Sequence, residues 1–597
     1  MIDNKRLLML MASGALCFSN LPANADSLKL SAGNLVVTRS VYSGDASSVT
    51  IGQALPGGGV AVADGTYPGV FANETPDPSF GITSPIMLDQ LTTSGVLLNS
   101  FNLTNAAAAM GINLATSFPS KSELAINQST DGILTFMGYL SPINTLDVSN
   151  SNTPNHVDPT DPVALTYQRA VAQINTIGSV QVTPVNTYSG NNGRAAVLAD
   201  GNYYIVGNAG NGSGTEPTNI VNNTGVQMTT PGGSAETTVL GKQQGTAGSS
   251  NGFQYGYSVV QNGQTADKSG KDDNFRGLTV FGNTLYVTKG SGSNGINTVY
   301  QVGMAGTLPS TTTAATTTVS ILPGFSTILA KSTSTASNPV YHPFGLWFAN
   351  ANTLYVADEG DGVAYSSSKK TRYGGLQKWV FNGSTWNLAY ILQNGLNLGT
   401  QYSVTNYPSS MNPAADGLRN IAGKDNGDGT VTIYGITSTV STATDQGADP
   451  NQLVAITDTV AATTAGSEAF TILETANYGE VLRGVSYVTT GVTPFTDISA
   501  QVSAITSGLV YNRATKLYTG NLTITNTGSS INTPVVVALS GLTSGVTLTN
   551  ALGLYNGAPY VTASTSGLAA GASITVPVTF TNPANAKINF TPVIFQE

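Results

Sequence analysis

The sequence predicts an all-β protein: a six-bladed β-propeller closed by strands from both ends of the chain, followed by a β-sandwich. Three observations lead there. A hairpin signal recurs along the chain, the composition is poor in charge and rich in turn formers, and the C-terminal segment alternates without carrying the hairpin.

The hairpin is most legible at Phe275-Arg276-Gly277-Leu278-Thr279-Val280, then Gly282-Asn283, then Leu285-Tyr286-Val287. Two alternating apolar runs around a Gly/Asn turn read as a β-hairpin, and its recurrence at roughly even, long intervals reads as blades. A chain of 597 residues exceeds what one ordinary core organises. Only 9% of residues are charged and 67 are glycine. That balance favours turn-rich β-structure over helices carrying i,i+4 ion pairs. A net charge of −9 argues against a nucleic-acid partner, because phosphate binding needs a basic surface.

Taken in order, residues 1–25 read as a signal peptide. Lys5 and Arg6 form the basic start, residues 7–18 the apolar run, and Ala23-Asn24-Ala25 the cleavage site before Asp26. The expected location is outside the cytoplasm: periplasmic, extracellular or cell-surface. The single cysteine, Cys17, falls in this segment, and Gly14-Ala15-Leu16-Cys17 lacks the aliphatic residue of a lipoprotein signal. The mature chain is therefore expected to hold no disulfide or thiolate site, and no transmembrane segment.

Residues 26–495 are assigned to the propeller. Asn34-Leu35-Val36-Val37-Thr38-Arg39 is a strand, and residues 85–90 and 96–101 form a hairpin; together they make outer strands without an inner one. Full copies of the inner hairpin follow: Leu124-Ala125-Ile126 with Leu134-Thr135-Phe136-Met137, Ala195-Ala196-Val197-Leu198 with Tyr203-Tyr204-Ile205-Val206, and the copy at 275–287. Two more are Leu346-Trp347-Phe348 with Leu354-Tyr355-Val356-Ala357, and Asn420-Ile421-Ala422 with Val431-Thr432-Ile433-Tyr434. Arg483-Gly484-Val485-Ser486-Tyr487 supplies a first strand and no second, so it completes the opening unit. Outer pairs at 171–174 with 180–182, 376–381 with 386–392, and 453–457 with 470–473 give four strands per unit. Seven blades is the alternative if a long insertion hides one. Residues 147–161, 215–271 and 311–318 read as loops outside the blades, decorating the surface or disordered, with a functional role as the alternative. Residues 496–597, with about seven short alternating strands, read as an immunoglobulin-like sandwich serving as scaffold or attachment module.

Several of these segments resemble a group of uncharacterised bacterial secreted β-propeller proteins with a C-terminal immunoglobulin-like sandwich domain. The likeness is carried by Ser189-Gly190-Asn191-Asn192-Gly193-Arg194, by Asp445-Gln446-Gly447-Ala448-Asp449-Pro450-Asn451 and by Leu482-Arg483-Gly484-Val485. Gly541-Leu542 through Asn550-Ala551, with Gly557-Ala558-Pro559-Tyr560, is similar to their sandwich domain. The resemblance implies export and a propeller and carries over no catalytic residue. Some of those proteins end in a sorting helix; Gln596-Glu597 closes this sequence without one.

Three constellations carry the candidate chemistry. Lys121, Arg194, Arg276, His342, Arg419 and Arg483 all fall near the start of an inner strand, where they would face one channel mouth and draw an anionic ligand. The competing reading has each arginine tying a loop or neighbouring blade through backbone carbonyls and carboxylates. Asp358-Glu359-Gly360-Asp361-Gly362 follows an inner hairpin and offers hard oxygens that suit Ca²⁺, without EF-hand spacing. Asp425, Asp428, Asp445 and Asp449 cluster in the next unit, the first two in an ordinary turn. His342 is the one reasonable general base, since His156 sits in a polar loop and reads as solvated. No nucleophile elbow, zinc-binding helix or phosphate loop occurs. Tyr204, Tyr286, Tyr355 and Tyr434 take equivalent strand positions and read as core; Trp347, Trp379 and Trp386 fall in one unit, where an exposed one would stack on carbohydrate. The expected function is a secreted, non-catalytic ligand-binding or surface-structural protein without a required cofactor, whose extracellular ligand is anionic or carbohydrate. The alternative is a Ca²⁺-assisted extracellular hydrolase or lactonase at the channel mouth.

Overall fold

Six sheets, each built largely from consecutive strands, account for most of the chain in the computed structural model. It describes residues 30–73, 80–214, 216–241, 256–265, 270–335, 339–363, 374–441, 446–489, 496–551, 553–555, 558–564 and 566–596. The proposed signal segment, Cys17 and Asp445 lie outside these.

The first sheet runs Glu480–Tyr487, Leu35–Val41, Ile86–Leu91, Leu97–Asn102. Its register pairs Leu35 with Tyr487 and Val41 with Glu480, so the two ends of this region close on each other. Arg39 clamps the closure, reaching Asp89 at 2.6 Å and also Glu480. The third to sixth sheets are four-stranded and sequential. They begin with Gly193–Ala199, Leu278–Phe281, Pro343–Asn350 and Ala414–Asp425. The second sheet holds Leu134–Leu140, Arg169–Ile174 and Val180–Val185, with the short strand Asn127–Gln128 on its inner side.

First strands touch in series. Asn127–Gln128 meets Gly193–Ala199, which meets Leu278–Phe281; contact passes through the first strands of the fifth and sixth sheets to Glu480–Tyr487 and back to Asn127–Gln128. A cavity of about 430 Å³ bordered by all six of these strands marks the middle of a propeller-like arrangement. Glycine permits the closest of these approaches. A Cβ on Gly345 would lie 2.7 Å from the Arg419 carbonyl, and one on Gly277 or Gly484 would strike the carbonyl of Phe344 or Leu124 in the next sheet. Hydrophobic clusters fill the gaps between sheets; one runs from Val197 and Tyr204 through Val226 and Met228 to Leu285 and Tyr300. The turn at Gly282-Asn283 has positive φ at both positions, the geometry that a tight hairpin with matching twist requires.

Several expectations change. The stretch 215–271 is not outside the sheets: Gly225–Thr229 and Thr238–Val239 are the outer strands of the third sheet, with Val226, Met228 and Leu240 buried. Its alternation is only five residues long and sits among Gly, Asn and Thr, which hid it. Residues 147–161 are not surface decoration either. Ser149 to Thr153 are buried, and the guanidinium of fully buried Arg169 donates to the Ser149 and Ser151 carbonyls at 3.1 and 2.8 Å. Within 311–318, Ala314 is buried in a hydrophobic cluster. The helix Leu103–Ala109 was not foreseen; the Asn102 side chain accepts from the Asn105 N–H at 2.9 Å and caps it.

From residue 496 onward the chain forms two further sheets, one ordered Thr496–Asp497, Thr591–Gln596, Val535–Ser540, Ala558–Ser564, Gly553–Tyr555. The other holds Val502–Thr506, Val510–Asn512, Leu517–Asn526, Ser573–Thr581 and Thr547–Leu548. These ten strands exceed the seven expected, because Thr496–Asp497, Thr547–Leu548 and Gly553–Tyr555 are very short. Leu522, Ile524 and Val578 of one sheet share a core with Val535, Val537 and Ile594 of the other. A small cluster of Ile177 with Val536, Tyr560 and Phe595 joins this part to the second sheet. No helix among the described residues is long and apolar enough to cross a membrane.

Candidate functional site

The basic constellation separates into two groups. Arg194, nearly fully buried, donates to the Phe275 carbonyl at 2.8 Å and to Asn274 in the next sheet. Burial, and Arg276 beside it, press its pKa well below the ordinary arginine value. Arg276 reaches across to the Ser122 hydroxyl, with its guanidinium 6.0 Å from the Phe344 ring centre. Arg483 donates to the Gly447 carbonyl at 3.0 Å and to that of Phe118. These three tie sheets together, as the competing reading of the sequence had it.

Lys121, His342 and Arg419 belong to the second group. They border a cavity of about 540 Å³ that Glu359, Asp361 and Asp416 also border. His342 stands directly before the first strand of the fifth sheet, and its carbonyl accepts the Glu359 N–H at 3.0 Å. The loop 359–362 is thereby held against the same mouth. Its imidazole Nδ1 is buried and has no hydrogen-bond partner. Arg419 pairs with Glu359 at 3.1 Å.

Asp416, near the start of the sixth sheet's first strand, was not singled out from sequence. It is 1% exposed. Its Oδ2 accepts the Gly362 N–H at 2.9 Å and its carbonyl accepts that of Gly374 at 2.7 Å, so both residues are held against it. Oδ1 has no partner. Burial foremost, then the negative charges of Asp361, Glu359 and Asp358, raise its pKa to about 8 against the pull of the Gly362 N–H. The carboxyl therefore keeps its proton at neutral pH. The only sequence signal was an acid between Ala414-Ala415 and Gly417-Leu418, an ionisable group inside an otherwise core-type run.

The three acids proposed as a metal site are engaged separately. Asp358, buried, accepts the Gly360 N–H at 3.0 Å and the Gln377 amide at 2.9 Å; Glu359 holds Arg419; Asp361 accepts the Val363 N–H at 3.0 Å. Among the described residues no three His, Cys, Asp or Glu side chains converge as a metal site. Asp425 and Asp428 accept N–H groups of their own turn, and buried Asp449 accepts the Tyr407 hydroxyl at 2.8 Å. His156 is not simply solvated: it meets Glu236 at 2.8 Å and the Asn219 carbonyl at 3.2 Å.

The aromatic residues are largely structural. Trp379 stacks on Phe325 at 3.8 Å and Trp386 packs against Phe348 and Phe381. Trp347 is half-buried at the central cavity, and a Cβ on Gly423 would strike its ring. Tyr204 is core, its hydroxyl donating to the Pro309 carbonyl at 2.5 Å.

No protein-family model and no curated protein sequence matches the chain. Among solved structures, it is similar to a glycoside hydrolase family 43 arabinoxylan arabinofuranohydrolase from Bacillus subtilis in complex with cellotetraose. The identity is 11% over 80% of this chain and 96% of that one, with a TM-score of 0.26. It is also similar to an ulvan lyase of polysaccharide lyase family PL25, at 10% identity over 74% and 98% of the two chains, with a TM-score of 0.27. Superpositions this loose bear on neither activity nor substrate, which have to be argued from the cavity.

Proposed function

We propose that the chain is an exported six-bladed propeller with a C-terminal sandwich, and that the mouth lined by His342 and Asp416 is the active site of an acid–base hydrolase or lyase. The observation that carries this is Asp416: a buried carboxyl, protonated up to about pH 8, with one oxygen unsatisfied on the wall of a cavity that His342 shares. A protonated carboxyl can act as a general acid, and an imidazole nitrogen without a hydrogen-bond partner can act as a general base. In that reading Asp416 donates to the leaving oxygen while His342 takes a proton from water or from the substrate. Arg419 and Lys121 balance charge at the reacting group. Hydroxyl and amide side chains, among them Ser438, Thr439 and Gln446, complete the lining and suit a hydroxyl-rich substrate such as an oligosaccharide.

The test is turnover across glycoside, polyuronate and lactone substrates by the wild type, Asp416→Asn and His342→Ala. Activity should fall as pH rises through 8, and each substitution should lower kcat at least 10²-fold. Activity unchanged in both variants refutes the assignment. Binding by the wild type without turnover of any substrate returns the chain to the non-catalytic reading, with Lys121 and Arg419 as the ligand contacts.

A further inference from the structure

A second pair of acids lies away from this cavity. Asp158 and Asp161 belong to the connection between Leu134–Leu140 and Arg169–Ile174 of the second sheet. They face the connection between Asn202–Gly207 and Gly225–Thr229 of the third. They are 3% and 6% exposed. Each spends one carboxylate oxygen locally: Asp158 Oδ1 on the Thr160 N–H and hydroxyl, both at 2.8 Å, and Asp161 Oδ1 on the Val163 N–H at 2.9 Å and the Asn211 amide at 3.4 Å. The other oxygen of each, Oδ2, is buried and has no partner. Both flank the same short stretch. A Cβ on Gly190, packed on Asn211, would lie 3.0 Å from Asp161 Oδ2, and one on Gly212 would strike Asp158 Oδ2. Only glycine leaves room there.

Two buried carboxylate oxygens left empty, from acids that repel each other, are costly in a folded protein. The nearby cations do not settle the account. Arg169 is committed to the carbonyls of Tyr167, Ser149, Ser151 and Asn191, and Lys271 to Glu216 at 3.2 Å and to the Ala209 and Gly210 carbonyls.

We infer that Asp158 Oδ2 and Asp161 Oδ2 hold a hard divalent cation, Ca²⁺ by preference, that pins the second sheet's 147–163 connection to the third sheet's 208–214 loop. An all-oxygen set on irregular loops suits Ca²⁺, and backbone carbonyls, the Thr160 hydroxyl and water would complete its six to eight ligands. Mg²⁺ demands a stricter octahedron and should bind more weakly.

The test uses the mature protein after chelation. Calorimetric titration should give one Ca²⁺ per chain, and 1 mM Ca²⁺ should raise Tm by several degrees. Asp158→Asn and Asp161→Asn should each abolish both effects, while Asp416→Asn retains them. Hydrogen exchange on the wild type gives a reading that does not depend on the variants folding: Ca²⁺ should slow exchange in 147–163 and 208–214 and leave 339–363 unchanged. A silent titration with unchanged exchange overturns the inference. So does a Ca²⁺ response that survives in the double variant, or protection confined to 339–363.

Discussion

Replacing Asp416 with asparagine gives the sharpest test of how its carboxyl is held. The folded pKa, about 8, stands above the ordinary aspartate value of 3.8, so the native state keeps a proton that the unfolded chain releases. The stability tied to this group is complete below pH 4 and is lost as pH rises through 8. Well below pH 8 each pH unit is worth about 1.4 kcal/mol, and flattening on approach to and above 8 leaves a total near 3 kcal/mol between pH 6 and pH 9. Asparagine keeps the shape and the acceptor for Gly362 and cannot titrate. Asp416→Asn should therefore be the more stable protein at pH 9, and its advantage should shrink by about 3 kcal/mol at pH 6. Thermal unfolding of both proteins across this range, at roughly 1 °C per kcal/mol for a cooperative unit of this size, should show the curves converging by about 3 °C. Parallel curves would mean that Asp416 is ionised throughout and would remove the general acid from the mechanism.

Other outcomes follow from contacts between sheets. Lys378 and Asp458, both fully buried, form a 3.0 Å ion pair between the fifth and sixth sheets, with Tyr390 bonded to each and Tyr355 to Asp458. Lys378→Met should cost about 3–5 kcal/mol in denaturant unfolding, because it strands a buried carboxylate; a loss under 1 kcal/mol would show that the pair is hydrated. Gly345→Ala should cost about 1–3 kcal/mol or more, as its methyl meets the Arg419 carbonyl at 2.7 Å; an unchanged midpoint would show that the first strands can separate freely. Arg194→Ala should lose about 2–4 kcal/mol by leaving the Phe275 carbonyl bare in a buried seam; a soluble variant with unaltered unfolding would return Arg194 to the pool of free ligand contacts.

The first strands and their partners were readable because each hairpin repeats two alternating runs around a turn, and each run meets the same need for one apolar face. The closing of Leu35–Val41 on Glu480–Tyr487 was legible for the same reason: an opening unit lacked an inner strand and the last supplied one. What escaped was local order without an apolar pattern. Residues 147–153 are largely polar yet buried, held by Arg169 and by hydrogen bonds that no periodicity announces. Position at a strand start brought Lys121, His342 and Arg419 to one mouth, but it could not distinguish them from Arg194 and Arg483. Which way a guanidinium turns depends on a carbonyl in the neighbouring sheet, and no single sequence segment carries that information.

Asp416 also shows why a buried acid in this ring points to chemistry more than to architecture. Its side chain accepts one backbone N–H, a role that asparagine would fill without a buried ionisable group. Its second oxygen bonds nothing and so contributes nothing to the fold. Three further acids, Asp358, Glu359 and Asp361, stand near it and raise its proton affinity. Arg419 stands at the same mouth but is taken by Glu359. By contrast, three other buried or partly buried acids are each met by a cation: Asp89 by Arg39, Asp458 by Lys378, Glu216 by Lys271. The arrangement around Asp416 costs stability at neutral pH and secures a proton, and in a cavity bordered also by His342, whose Nδ1 has no partner, that proton is what the proposed acid–base chemistry would use.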